Sequence, residues 1–377
     1  MSISRTTFSS STRRIRAGSS GVAASMARES TAKSDYFATK PLRLLWPPMS
    51  AQTRRLRLCV VSSVGGHLRE VLELVPSFGA AEVRFIVNDE VNVPLPGPIE
   101  QIAHAERDSL VLWNLVEAFE SFHRNRPDVL LSTGAGPIVP LATVGKLFGC
   151  QTIYIETFGS VDEPSLTGRM MVPLADRFYY QWPSLSRFFP KGRYLGPMFV
   201  TEPPHCPDDG SLFVAVGTSQ RAFDRLLRWL DDLCEQGALP YALTAQRGHA
   251  HHYPLHYQSY PFLPNEQLEQ RIASARVVIC HAGAGLIGTC LRHGKRPILV
   301  PRLARFGEAI NDHQLMLARA LAQSGQASVV IEKSELLPAI LAALSAPPPP
   351  AKRADRKLVE TIAADLREMA AARHLLI

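Results

Sequence analysis

From Arg55 onward the chain alternates short, almost wholly apolar runs with longer segments of helical periodicity, and it does so twice. In the first half RLRLCVVSS (55–63), VRFIVND (83–89), DVLLST (128–133), TIYIET (152–157) and RFYYQW (177–182) read as strands. HLREVLELV (67–75) and segments near 110–125, 137–148 and 166–175 carry helical spacing. After a stretch broken by Pro and Gly the rhythm restarts with SLFVAVGTS (211–219), ALTAQRG (242–248), VVICHAG (277–283), PILVPR (297–302) and SVVIE (328–332), with a helix near 221–235. Strands without polar alternation, separated by helices, are buried on both faces and belong to parallel sheets. The expected fold class is α/β with two doubly wound, Rossmann-like lobes facing a central cleft. Their boundaries are expected at 53–200 and 211–346, with a linker over 201–210 and a C-terminal helix within 347–377 that folds back across the linker.

A chain of 377 residues with 46% hydrophobic content is long enough for two cores of ordinary domain size. No uninterrupted apolar run reaches the roughly 18 residues needed to read as a membrane span. The net charge of +7 raises nucleic-acid binding, but its location argues otherwise. Residues 1–48 carry eight Lys and Arg against two Asp and Glu, which leaves the body close to neutral. A groove-binding protein carries its basic surplus on the folded surface, so a nucleic-acid partner is not expected. Residues 1–52 read as a disordered tail or an over-long start, with Met26 and Met49 as alternative initiators. Within it, Leu42, Leu44, Leu45 and Trp46 around Arg43 suit contact with a lipid surface. The six cysteines form no C-x-x-C pair and read as reduced thiols. The histidine run HAHH (249–252) has no cysteine or carboxylate near it in sequence, so no metal is expected.

Chemistry concentrates at strand-to-helix junctions, where α/β sheets bind ligands. In SSVGGHLRE (62–70), Gly65 and Gly66 permit a tight turn and close backbone approach, and His67 stands at the mouth of the cleft. An imidazole there suits general-base work, and it equally suits a helix start. STGAGPIVP (132–140) is a second such junction, with Gly134 and Gly136. Glu156 ends a strand as a catalytic carboxylate or as half of a salt bridge. In the second half VAVGTS (214–219) supplies Gly217 and Thr218, and HAGAG (281–285) supplies His281, Gly283, Ala284 and Gly285 before a helix, a ready cradle for a diphosphate. Arg302, Glu308, Asn311, Asp312, His313 and Gln314 crowd the segment 301–314, with polar groups dense enough to bond sugar hydroxyls. Asn311 or Asp312 is also a fair helix cap.

These motifs together resemble a known enzyme family. SSVGGHLRE, LLSTGAGPIVPLATVGKLFG, IYIETF and PSLTGRMMVPLADRFYYQWP are similar to the membrane-recruiting subunit of the eukaryotic enzyme that adds the second GlcNAc to dolichol-diphosphate GlcNAc. FVAVGTSQRAFDRLL, AQRG, VVICHAGAG, GKRPILVP and NDHQ resemble its catalytic subunit, and the order of the halves resembles fused bacterial exopolysaccharide transferases. The GGH motif is shared with the lipid-II-forming GlcNAc transferase. The resemblance implies a GT-B architecture and an inverting, metal-free glycosyltransferase. It also implies a UDP-sugar donor and a polyprenyl-diphosphate-linked saccharide as acceptor, at the inner face of the plasma membrane. His67 and Glu156 are then the catalytic candidates and Gly65, Gly66, Gly134 and Gly136 the acceptor side. Gly217, Thr218, Gln246, Phe262, His281, Gly283–Gly285, Arg302, Glu308 and Asn311–Gln314 form the donor side. GlcNAc-transferring relatives carry a Glu where this chain has Thr289. With Arg302 and Arg305 as partners for a carboxylate, that departure points to glucuronic acid as the donor sugar, against N-acetylglucosamine or glucose. A UDP-sugar epimerase and a non-catalytic recruiting scaffold are the competing classes.

Overall fold

The computed structural model describes residues 54–91, 93–103, 110–204, 207–239, 241–347 and 356–377; the expectations for residues 1–52 lie outside them. In the first lobe, β1 (Arg57–Ser62), β2 (Glu82–Val87), β3 (Ile99–Gln101), β4 (Val129–Ser132), β5 (Gln151–Ile155), β6 (Arg177–Tyr180) and β7 (Arg193–Tyr194) form one sheet in the order β3-β2-β1-β4-β5-β6-β7. In the second, β8 (Leu212–Ala215), β9 (Leu243–Gln246), β10 (Gln258–Tyr260), β11 (Val277–Cys280), β12 (Ile298–Leu299) and β13 (Ser328–Val329) run β10-β9-β8-β11-β12-β13. Every strand pair is parallel. The strand order reverses at β1/β4 and again at β8/β11, and these switch points are where a crevice opens beyond the carboxyl ends.

The first sheet is covered by α1 (Gly66–Leu72), α2 (Leu110–Asn125), α3 (Ile138–Leu147) and α4 (Leu166–Met171); the second by α5 (Asp224–Glu235), α6 (Asn265–Ser274), α7 (Ala284–Arg292), α8 (His313–Gln323) and α9 (Lys333–Ser345). The periodicity located α2, α3 and α5 well. It missed the short edge strands β3, β7 and β10, which hold too few residues to show a pattern, and it missed α6, whose sequence is mostly polar.

The lobes share a core. Phe158, Trp182, Leu185 and Phe199 of the first pack in one apolar cluster with Phe213, Ile287 and Leu291 of the second. Phe199 lies flat on α7 because position 288 has no side chain; a methyl there would stand 2.4 Å from its ring. The crossing chain then runs along α7, with Glu202 N–H donating to Leu291 O.

The C-terminal helix α10 (Lys357–Ala371) packs on the first lobe. Leu358, Ile362, Leu366 and Met369 enter the core of the first lobe beside Val60, Leu74 and Phe85. Tyr179 donates to Asp365, and Arg177 pairs with Glu368 at 2.9 Å. Beyond it Leu56 N–H donates to Leu376 O, and Arg54 and Arg373 both hold Asp128. The fully buried Leu366 is the test: Leu366→Ala is expected to cost about 2–5 kcal/mol in urea unfolding. A cost within error of zero would mean that α10 is not part of that core.

Candidate active site

At the first switch point, α1 starts at a glycine turn that only glycine adopts readily: Gly65 has φ 105° and ψ −128°. His67, half-buried in the first turn of α1, is held from below. Its Nδ1 donates to Thr133 O at 3.2 Å, and the Thr133 hydroxyl donates back to His67 O at 3.1 Å. Since a carbonyl only accepts, the proton sits on Nδ1 and the Nε2 lone pair is free to take another. The ring rests on Gly134 (φ +133°), where a methyl would stand 2.5 Å from His67 Cε1. Ala135 beside it carries a positive φ of 81°, a conformation that costs a non-glycine residue free energy. Burial lowers the imidazole pKa, against the Thr133 carbonyl, so His67 is neutral at neutral pH.

The second switch point repeats the device with the partners exchanged. His281, at the end of β11, lies between Gly217 at the end of β8 and Gly283, where methyls would stand 2.4 Å and 2.3 Å from ring atoms. Burial, and then the charge of Arg302, push its pKa down to about 3, while the Ala215 carbonyl opposes. Its Nδ1 is buried without a protein partner. The backbone then turns into α7, whose cap Gly283 makes no side-chain cap bond, so its first N–H groups stay open to an anion.

The two junctions meet. A methyl at Gly285 would lie 3.4 Å from Gly66 Cα, so the GGH turn and the start of α7 touch backbone to backbone. His67, Gly65, Gly66 and Gly134 are thereby brought beside Gly283, Ala284, Gly285 and His281, with Gly217 stacked on His281.

Several expected ligands do other work. Glu156 is fully buried; its carboxylate accepts Ser165 N–H at 3.2 Å, and a methyl at Gly168 would sit 1.7 Å from its Oε2. It fixes the turn into α4 and has no path to a substrate proton, so the catalytic expectation for it is withdrawn. Arg302, 2% exposed, spends its guanidinium on Val216 O (2.8 Å), Arg221 O (2.6 Å) and Glu308 O (3.3 Å). Burial lowers its pKa to about 10. Glu308 is held two-pronged by Arg225, with both contacts at 2.9 Å, and accepts Leu303 N–H. Arg305 is exposed and pairs with Glu332 at 3.1 Å. Arg302 and Glu308 brace the 301–312 loop, with Arg302 Nε buried and unpartnered, whereas Arg305 is committed to an exposed surface pair. Gln314 accepts Arg302 N–H, Gln246 accepts Leu263 N–H, and Asp312 accepts Ala304 N–H without capping α8. Asn311 accepts His313 N–H at the loop's exposed end. Thr218 and Phe262, the latter in edge contact with His249, are exposed on this side, while Nδ1 of His313 is buried without a partner. Gly136 is exposed at the second turn of the first lobe. In the histidine run, His252 and, beyond it, His256 both bond Asp231, at 3.1 and 3.0 Å.

Sequence reasoning overlooked Glu70. This buried carboxylate, one turn after His67, accepts from Thr157 Oγ1 (2.6 Å), Phe158 N–H (3.1 Å) and Gln181 Nε2 (3.4 Å). Burial pushes it up to about 8 against those three donors. It ties α1 to the loop after β5. The signal was present as the Glu of GGHLRE, but its partners lie 87 or more positions away.

Two parallel-sheet lobes with a glycine junction at each facing switch point define a glycosyltransferase of the GT-B class. A family model for oligosaccharide biosynthesis protein Alg14 like matches residues 107–198, and one for the glycosyltransferase family 28 C-terminal domain matches residues 211–368. The UDP-N-acetylglucosamine transferase subunit ALG14 of Rattus norvegicus is 30% identical over 178 residues, 37% of this chain and 82% of that protein. The UDP-N-acetylglucosamine--N-acetylmuramyl-(pentapeptide) pyrophosphoryl-undecaprenol N-acetylglucosamine transferase of Solibacter usitatus is 28% identical over 184 residues, 44% of this chain and 49% of that protein. Among solved structures, Acinetobacter baumannii MurG superposes with a TM-score of 0.54 at 16% identity, covering 82% of this chain and 99% of that one. The UDP-GlcNAc 2-epimerase of Methanocaldococcus jannaschii reaches 0.57 at 10% identity, covering 84% and 100%, so the fold is shared by both chemistries. The chain belongs to the Alg14-like family, joined in one polypeptide to a family 28 glycosyltransferase domain.

The perch under His67 yields a prediction. Gly134→Ala drives a methyl into the imidazole, and turnover is expected to fall on the order of 100-fold, the penalty for an ångström-scale misplacement. Steady-state kinetics on folded protein would decide; unchanged turnover would mean that the perch has no part in catalysis.

Proposed function

We propose that the protein transfers a sugar, with inversion, from a UDP-sugar to a saccharide carried on a polyprenyl diphosphate at a membrane surface. The observation that carries this reading is the contact between the two junctions. A free imidazole nitrogen on one lobe lies beside an open helix N-terminus on the other. In one displacement the acceptor hydroxyl oxygen bonds to the anomeric carbon, the bond from that carbon to the diphosphate oxygen breaks, and His67 Nε2 takes the hydroxyl proton. The first N–H groups of α7 receive the charge developing on the departing diphosphate. His281, held neutral, lines that turn without adding charge. No metal is required in this scheme.

N-acetylglucosamine is the donor sugar of this reading, because the named sequence relatives act with UDP-N-acetylglucosamine and Arg302 is buried against backbone carbonyls. Glucuronic acid is the second reading, favoured by Thr289, which is buried and donates to Gly285 O within α7 where GlcNAc-transferring relatives resemble one another in a Glu. A role in bacterial exopolysaccharide assembly rests on the resemblance to fused transferases.

A lipid-borne acceptor calls for a membrane-facing surface. No helix among the described residues is long and apolar enough to cross a membrane. The exposed side of the first lobe instead carries Trp113, Val116 and Phe119 on α2, Leu147 and Phe148 at the end of α3, and Leu166 and Met170 on α4. Exposed apolar side chains in such numbers on neighbouring helices suit lipid contact. Of the aromatic pair at 188–189, Phe189 is buried and the Phe188 ring lies beneath the guanidiniums of Arg169 and Arg187.

Incubation with labelled UDP-N-acetylglucosamine, UDP-glucuronate and UDP-glucose plus a membrane lipid extract tests the reading. Label from UDP-N-acetylglucosamine is expected in a lipid product that His67→Ala fails to make. Transfer from UDP-glucuronate alone would select the second reading, and release of a free epimerised sugar would replace both. The pH profile gives an independent check. Because burial lowers the His67 pKa below its ordinary value of 6.5, the base stays deprotonated further into acid, and the acid limb of kcat/KM is expected below pH 6.5. A limb at or above that value would count against His67 as the base.

A further inference from the structure

Around the point where Gly66 meets Gly285, charged side chains reach across from both lobes. Arg69, two residues after His67 on α1, lays its stem over Gly285, where a methyl would lie 3.2 Å from Arg69 Cδ. Its guanidinium continues to α6 of the other lobe, donating to Asn265 Oδ1 and pairing with Glu269 Oε1 at 3.2 Å. In the opposite direction Arg292, at the end of α7, donates to Glu73 at the end of α1 and lies 3.7 Å from the same Glu269 oxygen. Asn265 Nδ2 completes the ring with a 3.3 Å bond to Glu269. Two guanidiniums, two carboxylates and an amide thus link α1 to α6 and α7, and one carboxylate oxygen serves both arginines.

We propose that Arg69 and Arg292 are positioning residues, forming a clasp across the cleft that holds His67 in register with the donor-binding turn at Gly283–Gly285. This rests on the reading of His67 as base. The physical case lies in what is shared. Backbone contact at two glycines has no side chain to interlock, so it fixes separation poorly by itself. The clasp flanks that contact from both directions, and its members are each about a quarter to a third exposed. Ion pairs in that setting are individually weak and screened by salt, so the lobes can part and re-form it as substrates exchange.

The pair Glu73–Arg292 allows a charge exchange. Glu73→Arg and Arg292→Glu, made singly, are expected to lower kcat about tenfold or more through misplacement of the base. The KM for the UDP-sugar should stay near wild type, and the radius of gyration by small-angle scattering should rise. The double exchange is expected to restore both readouts in part, since the carboxylate introduced at position 292 faces Glu269. An unchanged radius of gyration in the single variants overturns the clasp whatever happens to turnover. A larger radius with unchanged kcat overturns its positioning role. A double exchange that melts like wild type yet restores neither also overturns it. Should a reversal fail to fold, Glu269→Ala removes the shared acceptor without adding charge and carries the same expectations. Scattering needs no catalysis, so a His67→Ala variant that keeps its turnover would remove the base reading while leaving the clasp to be decided separately.

Discussion

Two helix N-termini can face one another at contact distance only if nothing projects from either. Gly66 and Gly285 meet that requirement, and much else in the molecule is arranged around it. The same economy recurs at each switch point, where an imidazole takes the space that a β-carbon would have filled, His67 over Gly134 and His281 between Gly217 and Gly283. Substitution at those glycines is therefore a steric matter before it is a question of backbone freedom. Where the lobes press together further along α7, Gly288 grants the same room to Phe199.

Buried charge organises the rest. Glu70 and Glu156 hold the loops behind β5, and Arg302 with Arg225 and Glu308 hold the loop after β12. A buried ionic group is costly unless hydrogen bonds answer it, and here backbone groups answer most of Arg302 while side chains answer most of Glu70 and Glu308. The outcome is a rigid frame from which a few unsatisfied groups protrude. Nε2 of His67 and the first amides of α7 stand out because their neighbours are committed, with the unpartnered Nδ1 atoms of His281 and His313 buried behind them.

That division explains what could be read from the residues. Glycine junctions announce themselves, since a turn that admits no side chain leaves a local mark, and the two-lobed parallel architecture follows from continuous apolar strands. Polar residues within the motifs carry no such mark. Glu156 and Arg302 have the composition of site residues, yet their partners come from other turns and make them structural. Glu70 looked ordinary and proved to be an anchor. Arg69 and Arg292 carry no local sign of their partners, because their acceptors lie 200 and 219 positions away. Local sequence shows where the chain bends; which buried charge meets which carbonyl is decided by long-range closure.

The return of α10 to the first lobe has a consequence for how the protein is made. The apolar face around Val60, Leu74 and Phe85 is covered by Leu358, Ile362, Leu366 and Met369, which leave the ribosome some three hundred residues after it. The first lobe therefore waits, with a core surface open, through synthesis of the entire second lobe, when domains otherwise tend to fold in order of emergence. Until α10 is made, a complete donor lobe stands beside a partner whose core surface is uncovered, a state open to chaperones and proteases.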